Sequence, residues 1–308
     1  MNLKYRWPIL LLLSLLLIQL PVLARFKEVA RFPFENRKGN IVLTVQLNNF
    51  PRPLKMLFDT GADGIAISQE LADAAGLKAD KTNKVSVVGG SMDVQVSTGN
   101  KLQIGGSALM NQNIAIFRDL HKVGTDGVIG NLLIRNYIFK VDYDRNEISL
   151  YNFGDFDEKG ATIIPITTPQ GMIIIPGMLS ITVDQPHAGH FVFDTGAAYD
   201  LICFRPFVRK NKLLISGFKS DSSGGTISMG MHTPTFTGKA ASFSLPGLPS
   251  VNNMSVTLMA GNNENEHWDP GVDGSIGVGF ISRYNFTIDM QQKKMYLVPN
   301  QNYKNEKI

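Results

Sequence analysis

The peptide Phe58-Asp59-Thr60-Gly61-Ala62 recurs letter for letter as Phe193-Asp194-Thr195-Gly196-Ala197. At average residue usage a given five-letter word is expected in a chain of this size with probability on the order of 10⁻⁴. The recurrence therefore marks duplication rather than chance. A second shared word follows each copy, Asp126-Gly127-Val128-Ile129-Gly130 and Asp273-Gly274-Ser275-Ile276-Gly277. Two units built on one plan are expected.

Strand patterns dominate both units. Ile41, Leu43, Val45 and Leu47 alternate with Val42, Thr44 and Gln46, giving one buried and one mixed face at a period of two. Leu179, Ile181 and Val183 repeat the pattern before the second copy. A short apolar strand then delivers each Asp-Thr-Gly-Ala word, so each motif Asp stands where a strand enters a tight turn. Helices are expected to be few and short: Ser68 caps one through Ala75 with Gly76 at its end, and Pro206 opens another. Further helical stretches are expected at 132–136 and 279–283. A hairpin then closes each repeat, 138–143 with 148–151 and 286–290 with 295–298. Asp221 to Gly225 and Gly261 to Glu266 read as loops. The fold class is all-β, with two homologous β-barrel-like lobes at 25–155 and 156–300 and the active site at their interface. Residues 301–308 read as a polar, mobile tail.

The N-terminus has the pattern of a secretory signal. Lys4 and Arg6 precede an apolar run from Ile9 to Leu20, and Val22-Leu23-Ala24 supplies small residues for cleavage. Export with removal of 1–24, to a periplasmic or extracellular location, is the expectation, and an uncleaved membrane anchor is the alternative. Loss of Lys4 and Arg6 lowers the formal charge from +4 to +2, because residues 1–24 hold no acid. A nearly neutral chain with no basic stripe has little to offer a polyphosphate, so no nucleic-acid partner is expected. The single cysteine, Cys203, cannot form an intramolecular bridge. His187 and His190 have no helix to align them and no evident third ligand, so no metal and no cofactor are expected.

Two identical strand-end turns placed about a twofold axis bring two carboxylates together. At about 3 Å and an effective dielectric near 20 they repel by roughly 5 kcal/mol, so they share one proton. The ionised member can take a proton from water while the protonated one donates to the carbonyl oxygen of an amide. Gly61 and Gly196 permit the turns and the approach of a substrate backbone. Thr60 and Thr195 offer hydroxyls that can bond across the interface, and Ile129 and Ile276 can pack beneath the turns. Asp59 and Asp194 are the expected catalytic pair.

These words resemble the aspartic peptidases, in which Asp-Thr-Gly and a later hydrophobic-hydrophobic-Gly element recur in each lobe or subunit. Asp-Thr-Gly-Ala is similar to the retroviral-type branch, while two lobes in one chain is the pepsin-like arrangement. The resemblance implies a peptide or protein substrate, a monomer sufficient for the site, and glycine-bearing flaps over the cleft. Their positional candidates are Val88, Gly89 and Gly90 in the first lobe and Ser223, Gly224 and Gly225 in the second. It also implies that Ala62, Asp63 and Ala197 line the substrate. Asp63 resembles the retroviral Asp that contacts substrate backbone, and Ala198 holds the matching place in the other lobe. The residues after the two Ile-Gly steps also differ, Asn131 against Val278. The function expected is an exported endopeptidase. A catalytically silent peptide-binding protein is the other reading, and a two-carboxylate glycosidase fits less well because its acids work in unlike surroundings.

Overall fold

The computed structural model describes residues 27–88, 90–118, 120, 124–228, 231–260 and 268–305. The expected leader at 1–24, Gly89, the loop expected at 261–266 and residues 306–308 lie outside them.

The first half contains Glu28–Pro33 (β1), Glu35–Arg37 (β2), Asn40–Leu47 (β3), Leu54–Phe58 (β4), Ile65–Ser68 (β5) and Lys81–Val87 (β6). Gly90–Ile104 (β7), Ser107–Phe117 (β8), Gly127–Ile129 (β9), Ile138–Asp142 (β10) and Glu147–Tyr151 (β11) complete it. The second half repeats the order: Thr162–Pro165 (β12), Ile174–Ser180 (β13), Pro186–Phe193 (β14), Leu201–Cys203 (β15) and Ser220–Ser228 (β16). Met231–Ser244 (β17), Val251–Met259 (β18), Gly274–Ile276 (β19), Tyr284–Asp289 (β20) and Lys294–Pro299 (β21) follow.

The two lobes share one topology. The first sheet runs β2-β3-β4-β9-β5-β8-β7-β6 and closes on itself through β3–β7, and the second runs β13-β14-β19-β15-β18-β17-β16 and closes through β13–β17. The alternation in β3 is realised: Ile41, Leu43, Val45 and Leu47 are buried while Thr44 is exposed. Its copy is shorter than expected. β13 ends at Ser180, and Val183 stands 81% exposed in the turn beyond. His187 and His190 both lie on β14. Three residues apart on a strand, their side chains leave opposite faces, which a shared ligand could not use.

The closing hairpins do more than finish their own repeats. β10–β11 and β20–β21 join through β10–β20, with β1 and β12 at the edges, as a six-stranded sheet β1-β11-β10-β20-β21-β12. Each half contributes three strands, so this sheet fuses the lobes into one body with a continuous core. Phe58 stacks on Phe139 of β10 with ring centroids 4.9 Å apart, and Phe193 meets Phe286 of β20 edge-on at 5.0 Å. The Phe that opens each repeated word thus anchors its turn to the shared sheet.

Ser68 caps the helix Gln69–Ala74 by accepting the Leu71 N–H, and Gly76 takes a left-handed φ of 65° just past its end. Arg205–Lys210 is helical with Pro206 in its first turn. Val278–Ile281 forms the short helix after the second Ile-Gly step, whereas residues 131–136 make only successive turns. The segment Asp221 to Gly225 is not a loop but part of β16. Beyond Asn300, Gln301–Asn305 is helical rather than a free tail, held by Tyr303 against Tyr284 at 5.4 Å.

Candidate active site

Each Asp-Thr-Gly-Ala word is fixed by the strand that lies between its own two arms. β9 runs parallel to β4 and antiparallel to β5, so the turn from Asp59 to Gly64 wraps around the end of β9. β19 sits in the same way between β14 and β15. This explains the second shared word. Asp126 accepts the Lys55 N–H at 2.8 Å and Asp273 accepts the His190 N–H at 2.7 Å, which sets the parallel register. A Cβ on Gly127 would lie 2.4 Å from the Ala66 carbonyl, and one on Gly274 2.2 Å from that of Ile202. Only glycine allows the central strand so close.

Ile129 and Ile276 are fully buried beneath the turns, and their carbonyls accept the N–H groups of Asp59 at 3.0 Å and Asp194 at 2.9 Å. Their part is thus backbone positioning as well as apolar support. The Gly61 N–H donates to Asp59 Oδ1 at 2.8 Å, and the Gly196 N–H to Asp194 Oδ1 at 3.0 Å.

The threonines join the lobes as expected. The Thr60 hydroxyl donates to the Phe193 carbonyl and accepts the Thr195 N–H at 3.0 Å. The Thr195 hydroxyl donates to the Phe58 carbonyl at 2.8 Å and accepts the Thr60 N–H at 3.1 Å. Both threonines have no solvent exposure. Every hydroxyl here satisfies one donor and one acceptor that water cannot reach. Thr60→Val should therefore cost about 2–6 kcal/mol of stability, two buried groups being left unpaired at about 1–3 kcal/mol each, while Thr60→Ser should keep most of it. Urea unfolding of the two variants checks this, and a loss below about 0.5 kcal/mol in Thr60→Val would contradict it.

The carboxyl groups of Asp59 and Asp194 meet directly across the interface, and each residue keeps some exposure to solvent. Burial, then the charge of Asp194 and a hydrogen bond with it, pushes Asp59 well above the ordinary carboxylate range. Burial also raises Asp194, but hydrogen bonds from Asp59, the Gly196 N–H and Ser275 hold it back. One proton shared between two carboxyls follows from these opposed forces.

The remaining expected residues divide. Val88 is at the turn joining β6 to β7, where Val87 pairs with Gly90. It packs on an apolar cluster of the opposite lobe that includes Ile174, Val192, Ile202 and Phe204. Ser223, Gly224 and Gly225 are not at a hairpin tip. They pair with Phe236, Thr235 and Pro234, and the ladder continues to Ser228 and Met231. A Ser-Gly-rich segment reads as a turn by composition, yet its backbone pairs with β17 along the hairpin.

Asp63 is exposed and forms an ion pair with Arg135, which also bonds its carbonyl. The matching place in the second lobe is not Ala198 alone. Gly130 bonds Gly64 and Gly277 bonds Asp200, while Asn131 bonds Ala62 and Val278 bonds Ala197, so the second turn is one residue longer. The extra residue brings in Tyr199, which sequence reading passed over, and Ser275 beneath it donates to Asp194 Oδ2 at 3.1 Å. Asn131 is buried and donates to the carbonyls of Thr60 at 3.0 Å and Gly171 at 2.9 Å, tying the first turn to the second half of the chain.

Residues 43–132 match the family model described as aspartyl protease. Among solved structures the chain is similar to an aspartic proteinase from Irpex lacteus, with a TM-score of 0.56 and 15% identity over 88% of this chain and 97% of that one. No curated protein sequence matches the chain.

Proposed function

Since the chain has the two-lobed fold of the aspartic peptidases and its first lobe matches the aspartyl protease family, we propose that it is an exported endopeptidase hydrolysing peptide bonds through Asp59 and Asp194. The observation that carries this reading is the meeting of two carboxyls on identical, cross-braced Asp-Thr-Gly words, with Asp59 held protonated well above its ordinary range.

In this reading a water molecule lies between the carboxyls and the scissile carbonyl. The ionised carboxylate takes one water proton as the oxygen attacks carbon, and the protonated partner gives its proton to the carbonyl oxygen. The resulting diol collapses as the C–N bond breaks. The nitrogen receives the proton taken from water, and a diol hydroxyl returns one to the other Asp. Atoms and charge balance without a covalent enzyme intermediate. Val88, seated on the far lobe, supports a flap that excludes bulk water during these transfers. Asp63 supplies a charged group to one side of the cleft only, which supports an asymmetric preference.

The test is incubation of the purified protein with a diverse peptide library from acidic to neutral pH, read by mass spectrometry. Internal cleavages with a defined residue preference are expected, and the same spectra should place the mature N-terminus near Arg25. An inert protein with a folded cleft would overturn the peptidase, and an intact leader on cytosolic protein would overturn export.

A further inference from the structure

The environment of the dyad is symmetric in its aspartates, glycines and threonines, but not in the length of the turns or in what lies beneath each carboxyl. Phe193 pairs with Ile276 and Val192 with Ser275, just as Phe58 pairs with Ile129 and Leu57 with Val128. Ser275 and Val128 are therefore equivalent positions, one carrying a hydroxyl and the other an isopropyl group. Ser275 is 2% exposed and its Oγ lies 3.1 Å from Asp194 Oδ2. Tyr199 lies over the end of the same strand, where a Cβ on Gly277 would stand 2.9 Å from its ring, and its phenol is within the influence of Ser275. Tyr199 has no counterpart, since it belongs to the residue added to the second turn.

The direction of this chain follows from proton counting. A serine hydroxyl has one hydrogen and two lone pairs. With that hydrogen committed to Asp194, Ser275 has only lone pairs to offer a phenol, so in a relay Tyr199 is the donor at the end of the line. Burial and the nearby charge of Asp194 raise Tyr199 well above the ordinary phenol range, so it keeps the hydrogen it donates. The groups facing Asp194 are the Asp59 carboxyl from the first lobe, the Gly196 and Ala197 N–H groups and the Tyr199 phenol from its own turn, and Ser275 from β19. Tyr199 packs among Ile174, Val192, Ile202 and Phe204, an apolar cluster that Val88 of the flap also covers. Hydrogen bonds to a charged acceptor are about twice as strong as neutral ones, and more so where water is excluded.

We propose that Ser275 and Tyr199 form a hydroxyl relay that fixes the division of labour in the pair, Asp194 being the base that activates water and Asp59 the acid that protonates the carbonyl oxygen. Ser275 and Tyr199 are positioning residues: neither touches the reacting atoms. The inference rests on the peptidase reading for its chemistry, but the order in which the two carboxyls ionise is measurable without turnover.

The experiment is a pH titration of the aspartate 13Cγ resonances in the purified protein, with Asp59→Asn and Asp194→Asn used for assignment. Asp194 should ionise before Asp59. In Ser275→Ala the Asp194 transition should move toward that of Asp59, in Tyr199→Phe it should move the same way by less, and Ser275→Thr should restore the wild-type order. On a cleaved peptide, the acid limb of kcat/KM should shift upward in Ser275→Ala, with about tenfold lower relative activity on the acid side, the value of one charge-assisted hydrogen bond. Asp59 ionising first in the wild type, or unmoved carboxyl titrations in both Ser275→Ala and Tyr199→Phe, would overturn the relay. Should Ser275→Ala fail to fold, the wild-type order and the Tyr199→Phe shift decide. A wild type with the expected ionisation order but no peptide turnover would instead sink the peptidase reading and leave the relay standing.

Discussion

Asp59→Asn and Asp194→Asn are each expected to lower kcat/KM by about four orders of magnitude or more while raising stability at neutral pH. Asn keeps the shape of the side chain but can neither hold nor give up the shared proton, so either variant removes both acid and base functions from the pair. Groups that act as a unit are non-additive, and the double variant should be little worse than either single one. The stability change has the opposite sign for an electrostatic reason. Both carboxyls are raised in the folded protein, chiefly by burial. A raised carboxyl contributes stability that is present below its unfolded pKa and is lost as pH rises through its folded value, because the folded state then binds more protons than the unfolded one. At neutral pH the wild type has suffered that loss and an Asn variant has not. A gain of about 1 kcal/mol, or about 2–4 °C in Tm, is expected near neutrality and should vanish at pH below the ordinary carboxylate range. Melting curves across pH beside peptide kinetics check both signs, and a single variant that is destabilised at neutrality while retaining turnover would refute the shared-proton dyad.

That the pair could be read from the sequence at all reflects its local encoding. Asp59 and Asp194 stand at strand ends marked by apolar runs, and the turn, the glycine and the threonine all lie within two residues of the carboxylate. The helix after Ser68 was legible for the same reason, since cap, first turn and terminating glycine are neighbours. The six-stranded sheet was not, because its central pairing joins Phe139 to Ile288 and nothing local in either hairpin names the other. β16 shows the converse. Ser222 to Gly225 carry turn residues, yet a long antiparallel partner supplies their hydrogen bonds and composition loses to pairing. Ser275 and Tyr199 did leave a signal. A hydroxyl replaces Val128 in the repeated apolar position, and two residues separate Ala197 from Asp200 where one separates Ala62 from Gly64.

Gly196→Ala should eliminate most turnover without unfolding the chain, with Gly61→Ala following more mildly. Neither glycine has a positive φ, so the backbone itself can accept alanine, and the obstacle is the neighbour. A Cβ on Gly196 would stand 2.3 Å from Asp59 Cγ, and one on Gly61 2.9 Å from Asp194 Cγ. Each turn thus leaves a hollow in which the other lobe's carboxyl rests. The Asp59 carboxyl cannot move away freely, since its Oδ1 is held by the Gly61 N–H and its main chain by Ile129. The methyl group must therefore displace a catalytic carboxyl or part the two turns, and the Thr60–Thr195 bonds oppose parting. A displacement of about 1 Å at a reacting group costs on the order of 10²-fold in rate, so kcat should fall by that factor or more. The smaller clash at Gly61 predicts a smaller loss. Circular dichroism should show both variants folded, with the pH profile of any remaining activity displaced because the carboxyls no longer meet as closely. Near-wild-type kcat in a folded Gly196→Ala protein would mean that the carboxyls do not nest in each other's turns during catalysis, and the closed dyad geometry would have to be abandoned.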